Sequence, residues 1–391
     1  MKYRIHGGTL VTDELLPLDL LISDGKIEAT VSPDLPTPPE YELIDATDCY
    51  VSAGFVDIHQ HGGGGADYMD GGSDDYFRAT SAHLAHGTTS VMPTLLSADT
   101  EGLLRAVRGY RDALLDPRIK ANLIGIHVEG PYISPYQAGA QKPEHIRPFS
   151  PEEYRAIAAF AEGNIRRWSV APEVEGADEF AAFAKEQGIA LSIAHSNADI
   201  DTVRRAFDLG YRHITHFYSC ISTITRRDGY RVPGILEAGY LMDDMDIEII
   251  ADGSHIPPSL LEYVLKFKAH DRIALVTDAM RAAGENVSES FLGSALDPLP
   301  VIVEDGVAKL TDRTAFAGSV ATADMLLKTM LKIDTPLTEA VKMLTVNPLR
   351  MMQLNVNKGL LKSGYDADIC IFDRDITVRR VLVGGEVVHS A

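Results

Sequence analysis

The chain has 391 residues, enough to bury a large core and to form more than one domain. Apolar residues make up 45% and charged residues 24% of it, as in ordinary globular proteins. The formal net charge of −20 argues against binding to nucleic acid or to anionic membrane surfaces, but a local basic site for a small phosphorylated substrate remains compatible with it. The sequence also shows no apolar run that could span a bilayer and no signal-peptide pattern at its N-terminus.

The three cysteines, Cys49, Cys220 and Cys370, are odd in number and far apart along the chain. Such scattered cysteines are typical of a reducing compartment and not of a disulfide framework. The sequence therefore predicts a cytoplasmic location.

Both ends of the chain have the sequence pattern of short β-strands. Segments 3–6 and 19–22 near the N-terminus, and 366–373 and 378–388 near the C-terminus, are rich in β-formers and bounded by turn residues. Neither end is long enough to fold alone. We expect one small discontinuous β domain, made of residues 1–50 and 357–391, beside a catalytic domain of residues 51–356.

Strand-like and helix-like segments alternate between these ends. The predicted strands are 54–61, 88–93, 123–129, 168–171, 190–195, 213–216, 247–251 and 273–276. The predicted helices among them are 99–115, 150–160, 178–187, 199–209 and 258–268. Eight βα units over this length predict a parallel (β/α)8 barrel. A hairpin at 301–310 and helices at 321–333 and 336–344 are expected after the eighth strand.

Polar side chains that can bind a metal fall at the ends of these predicted strands. They are His59, His61, Glu129, His195, His216 and Asp278. The two histidines of the first strand are two residues apart, so they point to the same face, and the four glycines that follow allow a sharp turn. The C-terminal ends of barrel strands converge on one face, so we expect all six side chains to meet there.

Imidazole and carboxylate ligands together suit zinc, iron or manganese, and the residue types do not choose among them. A bound divalent ion lowers the pKa of its water, which makes hydroxide available near neutral pH. Asp278 would then act as a base toward water and as an acid toward the leaving group. The pattern thus predicts metal-assisted hydrolysis.

Each of these residues also has a structural interpretation. A single histidine at a strand end is usually a hydrogen-bonded structural residue, Glu129 could be an ion-pair partner, and Asp278 could cap a helix. The metal site is favoured because all six coincide. His83 and His86 on a predicted helix are interpreted as structural, and His127, on the same face as Glu129, as a residue that supports the ligands.

Several motifs together resemble the amidohydrolase superfamily and, within it, the N-acetylglucosamine-6-phosphate deacetylase family. They are GFVDIHQHG at 54–62, GTT at 87–89, GIHVEGPY at 125–132, GAQ at 139–141, APE at 171–173, IADGSH at 250–255, VTDAM at 276–280, AGS at 317–319, NP at 347–348 and GYDAD at 364–368. The resemblance covers nearly the whole chain. It implies a (β/α)8 barrel with a β-sandwich made from both termini, usually in a homodimer. It also implies hydrolysis of N-acetylglucosamine-6-phosphate to glucosamine-6-phosphate and acetate.

The resemblance also implies roles for individual residues. Glu129, His195 and His216 would bind the main metal, while His59 and His61 would bind a second ion that only some family members keep. Zinc is the first expectation, with iron or manganese as alternatives and one or two ions per subunit. Asp278 would be the general base and acid, and His255 would contact the phosphate end of the substrate.

Two departures from the family pattern fall in the substrate-binding region. The segment after His216 is FYSCI at 217–221, which places Ser219 and Cys220 where the family usually has Asn-Ala. The position of a carbonyl-polarising His is Gln141, which can donate a hydrogen bond but carries no charge. Arg231 best fits the phosphate-binding Arg, and Arg226 and Arg227 are the rival candidates.

These departures leave the hydrolase chemistry intact and open the question of substrate. N-acetylgalactosamine-6-phosphate is an alternative, as is a cyclic amide or an N-acyl amino acid. A non-catalytic scaffold is a third possibility, which the presence of all six candidate residues argues against.

Overall fold

A computed structural model describes all residues from 1 to 391. Its centre is a cylinder of eight parallel strands: β1 Phe55–Gln60, β2 Thr88–Leu95, β3 Ile126–Glu129, β4 Ile165–Val170, β5 Ala190–Ile193, β6 Tyr211–Ile214, β7 Asp246–Ile249 and β8 Ile273–Leu275. Each strand pairs in parallel with the next, from β1 to β8. The predicted (β/α)8 barrel is confirmed.

The barrel closes through the residues that follow β1 and β8. The Asp278 amide donates to the His59 carbonyl at 2.9 Å, and the His61 amide donates to the Ala279 carbonyl at 2.8 Å. Two of the predicted ligands and the predicted base are therefore held together by backbone hydrogen bonds of the barrel itself.

Ten α-helices accompany the barrel. They are α1 Ser73–Leu84, α2 Thr100–Ala113, α3 Pro151–Phe160, α4 Ala177–Gln187, α5 Ile200–Leu209, α6 Ile235–Leu241, α7 Pro258–Phe267, α8 Ala323–Lys332, α9 Leu337–Leu344 and α10 Val346–Met351. Side-chain caps set where several of them begin: Asp99 accepts from the Gly102 amide, Ser150 from the Glu153 amide and Asp199 from the Thr202 amide. None of these helices combines the length and the apolar character needed to cross a membrane.

The structure differs from the predicted elements in four places. Gly125 adopts φ of 126° and divides the predicted strand 123–129, so that Asn122–Leu123 and β3 are separate strands. A φ of this value suits glycine because a side chain there would be strained. His86 lies beyond the end of α1, and α6 had no clear signal in the sequence. The predicted hairpin 301–310 is the middle of a four-stranded antiparallel sheet made of Glu289–Leu292, Leu299–Glu304, Val307–Leu310 and Phe316–Ser319.

A separate β domain is built from both ends of the chain. One sheet has the order Lys26–Val31, Asp19–Ser23, Lys2–His6, Glu42–Asp45; the other has the order Glu386–Ser390, Val378–Val383, Ile369–Phe372, Tyr50–Ala53, Thr9–Val11, Leu15–Leu16. N- and C-terminal strands pair directly in the larger sheet, where Ile369 faces Ala53. Thirteen buried apolar residues, drawn from both sheets, form its core.

The largest apolar core, of 70 buried residues, joins the barrel strands to the surrounding helices. A smaller cluster of nine includes Val56 and Ile58 of β1 together with Leu349 and Met351 of α10. Because α10 contacts β1 and β8, this cluster places apolar side chains against the barrel, while the polar residues collect at the C-terminal ends of its strands.

Candidate active site

The Glu129 carboxylate, at the end of β3, is the centre of the predicted cluster. Its Oε1 lies 3.1 Å from His195 Nε2 and 3.0 Å from His216 Nε2. Its Oε2 lies 3.4 Å from His61 Nε2 and 3.7 Å from His59 Nε2. Glu129 is therefore shared between two groups of three possible ligands, one with each pair of histidines.

Asp278 completes the cluster and also lies against the His59–His61 pair. Its Oδ1 is 3.0 Å from His61 Nε2 and 3.3 Å from His59 Nε2. All six predicted residues are buried and meet at the C-terminal end of the barrel, as expected from the sequence.

Four of these residues lie beyond the strands on which the sequence placed them, and His61 is the first, since β1 ends at Gln60. β5 ends at Ile193 and β6 at Ile214, and β8 ends three residues before Asp278. His195, His216 and Asp278 adopt positive φ angles of 43°, 29° and 48°. Such a conformation costs on the order of 1–3 kcal/mol for a non-glycine residue and is concentrated at functional sites. Here it belongs to the turns that bring the three side chains together.

The outer ring nitrogens of three histidines are held by hydrogen bonds. His195 Nδ1 lies 2.8 Å from the Gln137 carbonyl, and His61 Nδ1 lies 3.3 Å from the Thr94 carbonyl. A carbonyl only accepts, so each Nδ1 carries a hydrogen, and Nε2 is the ring nitrogen that faces the cluster. His59 Nδ1 faces Glu248 Oε2 at 3.4 Å, the carboxylate–histidine arrangement common at metal sites.

The donor set fits a divalent ion. A tetrahedral site with bonds of about 2.1 Å separates its ligand atoms by roughly 3.4 Å. The separations of 3.0 to 3.7 Å between Glu129 and the four histidines lie around this value. His59 Nε2 is buried without a hydrogen-bond partner, which is costly for a polar atom unless another group satisfies it.

The charges of the cluster shift the pKa values of its acids downward. Burial by itself raises the pKa of Asp278, but the neighbouring His59 and the hydrogen bond from His61 hold it at about 2. Burial likewise raises the pKa of Glu129, and His59, His195 and His216 outweigh it and bring the pKa well below the ordinary value. Both acids are therefore ionised at neutral pH.

Glu248 and Arg167 support the site and were not identified from the sequence. Arg167, on β4, donates to Glu248, on β7, and both are fully buried. Arg167 also donates to Thr215 Oγ1 at 2.8 Å, beside His216. Charged residues inside otherwise apolar strands were the available signal, since a buried charge needs a partner.

His127 and Asp57 form two further supports. His127 contacts Thr94 Oγ1 at 3.0 Å and Ser169 Oγ at 2.7 Å, and its ring packs edge-on against His59 with centroids 4.8 Å apart. Asp57 accepts from Thr277 Oγ1 at 2.5 Å, one residue before Asp278. Burial raises the pKa of Asp57 to about 6, although Thr277 and other donors stabilise its charged form.

A cavity of about 240 Å³ opens over the cluster, lined by Gln141, Ser219, Cys220 and His255 among others. Gln141 Nε2 donates to Glu129 Oε2 at 3.1 Å, and its Oε1 accepts from the Ser97 amide at 3.0 Å. His255 Nδ1 lies 2.7 Å from Asp252 Oδ2. Four of the six residues predicted to bind substrate are thus in place around one cavity.

Arg227 and Arg231 do not line that cavity. They lie on an exposed hairpin formed by Thr225–Arg227 and Tyr230–Val232, where Arg226 faces Arg231. Arg227 Nη2 is 3.7 Å from Asp199 Oδ2, an exposed ion pair. The sequence placed these arginines near the sixth strand but carried no information on where their loop would lie.

Comparisons with known proteins agree with this geometry. Residues 50–388 match the model of the amidohydrolase family. The chain is 32% identical over 373 residues to N-acetylglucosamine-6-phosphate deacetylase of Bacillus subtilis, covering 94% of this chain and 91% of that protein. It is 29% identical over 391 residues to N-acetylgalactosamine-6-phosphate deacetylase of Escherichia coli O157:H7, covering 99% of each.

A solved structure has the same fold over its full length. The N-acetyl-D-glucosamine-6-phosphate deacetylase of Mycobacterium smegmatis, solved as a mutant in complex with N-acetyl-D-glucosamine-6-phosphate, superposes with a TM-score of 0.90 at 30% identity, covering 100% of both chains. The resemblance seen in the sequence motifs is confirmed, and the chain belongs to the amidohydrolase family.

Proposed function

We propose that the protein hydrolyses the N-acetyl amide of N-acetylglucosamine-6-phosphate and releases glucosamine-6-phosphate and acetate. The observation that carries this proposal is the single cluster of four histidines and Glu129, with the Asp278 carboxylate against it, at the floor of a small cavity. Relatives of this chain with that activity span almost its full length, which supports the choice of substrate.

We propose Glu129, His195 and His216 as the ligands of the main divalent ion, and His59 and His61, sharing Glu129, as those of a second. Zinc is the first expectation, and iron or manganese fit the same donors. When bound, such an ion polarises a carbonyl oxygen and lowers the pKa of a water molecule. Counting metal ions by mass spectrometry after reconstitution tests the second position. Two ions per chain in the wild type support the second site. One ion in both the wild type and His61→Asn would contradict it.

Asp278 is the proposed proton carrier. Its carboxylate is ionised at neutral pH and can accept a proton from the attacking water. Delivered to the amide nitrogen, the same proton allows the amine to leave. The oxygens of Glu129 already face the histidines, and Glu248 is engaged with Arg167, so neither acid is free for this role.

Gln141 is the proposed contact for the acyl oxygen. Its carboxamide nitrogen has two hydrogens, and Glu129 accepts only one of them. The second can be donated to a carbonyl held in the cavity. Because Ser97 and Glu129 fix both ends of the carboxamide, its orientation is set before substrate binds.

Ser219, Cys220 and His255 are the proposed contacts for the sugar and its phosphate. Asp252 holds Nδ1 of His255, which leaves Nε2 as the atom available to the substrate. Arg231 or Arg227 would add charge, but both lie outside the cavity lining. Either would require the hairpin to move or a second copy of the chain to supply it, in keeping with the proposed homodimer. We also propose a cytoplasmic location.

The decisive experiment measures acetate release from a panel of N-acetylated sugars, with and without the 6-phosphate, after loading with zinc or iron. The proposal predicts turnover of N-acetylglucosamine-6-phosphate that depends on both the metal and the phosphate. Hydrolysis only of cyclic amides or N-acyl amino acids would overturn the substrate, and no hydrolysis by a metal-loaded protein would favour a scaffold.

A second candidate substrate is N-acetylgalactosamine-6-phosphate. Ser219 and Cys220 replace the usual residues of the family in the cavity wall, and the Escherichia coli relative with that activity matches over 99% of this chain. The ratio of kcat/KM for the two sugars decides between them.

A further inference from the structure

A second cavity, of about 440 Å³, lies beside the catalytic one. Its floor is α2, and its walls come from the loops around residues 140–145 and 292–299. Leu96, Ala140, Gln141 and Leu292 line both cavities, so the two share part of their walls. The proposed reaction assigns no role to this second cavity, which we call the side cavity.

Arg105, on α2, lines the side cavity and is the residue that indicates a binding site there. Its Nε is buried without a hydrogen-bond partner, and its side chain takes part in no ion pair. The stem packs against Gly71, where a Cβ would lie 2.8 Å from Arg105 Cγ. A guanidinium held in place by its stem and left without an acceptor is a preformed donor for an anion.

The other charged groups of the side cavity have protein partners or reach solvent. Lys142 and His145 both bond Asp297, which ties the two wall loops together. Asp99 accepts from the Gly102 amide as the cap of α2. Glu101 and Glu144 are exposed. Arg105 is therefore the one lining cation that forms no ion pair with a protein group.

We propose that the side cavity is a second binding site for a small oxyanion, a carboxylate or a phosphate, paired with the Arg105 guanidinium. The planar guanidinium suits both groups because it can donate two parallel hydrogen bonds. Leu96, Leu292 and Leu296 would cover the apolar part of an organic anion. A ligand there would also touch Gln141, which bonds Glu129 in the catalytic cluster. The site does not depend on which substrate the enzyme hydrolyses.

The test is a binding titration of the metal-loaded full-length protein with three separate probes: acetate, inorganic phosphate and glucosamine-6-phosphate. Wild type should bind at least one probe at a site additional to the catalytic one. In Arg105→Met, which keeps the stem, this additional binding should weaken at least about tenfold, while Arg105→Lys should retain part of it. The preferred probe identifies whether the anion is a carboxylate, a free phosphate or a phosphorylated sugar.

Arg108→Met is the matched control, because Arg108 is on the same helix, is exposed and packs over the Phe160 ring. Its binding should equal that of wild type. Unchanged binding in Arg105→Met, or equal losses in both variants, would overturn the proposal. Crystals of the wild-type protein soaked in selenate give a test without substitution: anomalous signal in the side cavity supports the site, and signal only elsewhere removes it.

Discussion

Replacing Asp278 with Asn should abolish most turnover while leaving the protein folded and loaded with metal. The substitution keeps the shape of a buried side chain whose Oδ1 lies 3.0 Å from His61 Nε2. A carboxamide cannot accept the proton of the attacking water, and no other acid of the cluster is free to replace it. Loss of a general acid–base group costs about 10²- to 10⁴-fold in rate, or roughly 3–5 kcal/mol in the activation barrier.

The assay is acetate release under saturating substrate, with metal content and thermal midpoint measured on the same samples. We expect kcat to fall by that factor at unchanged metal stoichiometry. Turnover within a few fold of wild type would refute the assigned role of Asp278. Loss of metal together with turnover would refute it as well, because the residue would then act mainly as a ligand.

Asp246→Asn is the matched control for burial. Asp246 begins β7 at the far end of the barrel and pairs with Arg350 at 2.8 Å. Its substitution should lower the free energy of unfolding by about 1 kcal/mol and leave kcat unchanged. The two variants therefore separate a chemical role from a structural one.

Three further predictions concern the metal cluster and the barrel. Metal binding at pH 7 should release at least one proton from His59. Burial is the largest single influence on this histidine and lowers its pKa, but the charges of Asp278 and Glu129 together outweigh burial and raise the pKa to about 10. The metal-free histidine is then charged at pH 7, so metal affinity should fall about tenfold per pH unit for each displaced proton as the pH drops. Calorimetry in two buffers of different protonation enthalpy counts the released protons. A count of zero would contradict this prediction. Glu248→Gln should weaken metal binding about tenfold or more, because His59 loses its carboxylate partner, and competition with a chelator measures this effect. It should also lower the free energy of unfolding in urea by about 3 kcal/mol, because Arg167 stays buried without its counter-charge. Unchanged metal affinity would contradict the supporting role of Glu248. Gly54→Ala should lower the free energy of unfolding in urea by about 1–3 kcal/mol, because its Cβ would lie 2.2 Å from Thr89 Cγ2. The control Gly72→Ala should lower it less, because its Cβ would meet only the end of the Asp75 side chain, at 2.8 Å. Equal decreases would show that the contact with Thr89 relaxes freely.

Much of the barrel was predictable because local patterns and long-range structure agree in it. The eight strands are short apolar runs, and capping residues such as Ser150 and Asp199 mark helix starts. The break at Gly125 and the two outer strands Glu289–Leu292 and Phe316–Ser319 were not predicted, because tight turns and edge strands depend on contacts distant in sequence.

The site divides in a similar way. The spacing of His59 and His61 indicates a candidate metal site, and the remaining candidate ligands follow once a barrel is assumed, since its strand ends meet. Nothing local indicates that Arg167 and Glu248 form a buried pair behind His59, because they are 81 residues apart. The same holds for Arg227 and Arg231, whose exposed hairpin position is set by packing of the loop and not by residue type.

The sequence by itself determined the alternation of strands and helices, and it indicated the side chains proposed to bind metal and the kind of chemistry they would support, because these depend on residue type and local period. Only the tertiary structure decided which hydrogen bonds orient His59, His61 and His195, where Gln141 is held, and that Arg105 faces a second cavity without a partner. The physical reason is that orientation, burial and charge pairing are properties of groups brought together from different strands and loops. They exist only after the barrel has closed through the backbone of His59, His61 and Asp278.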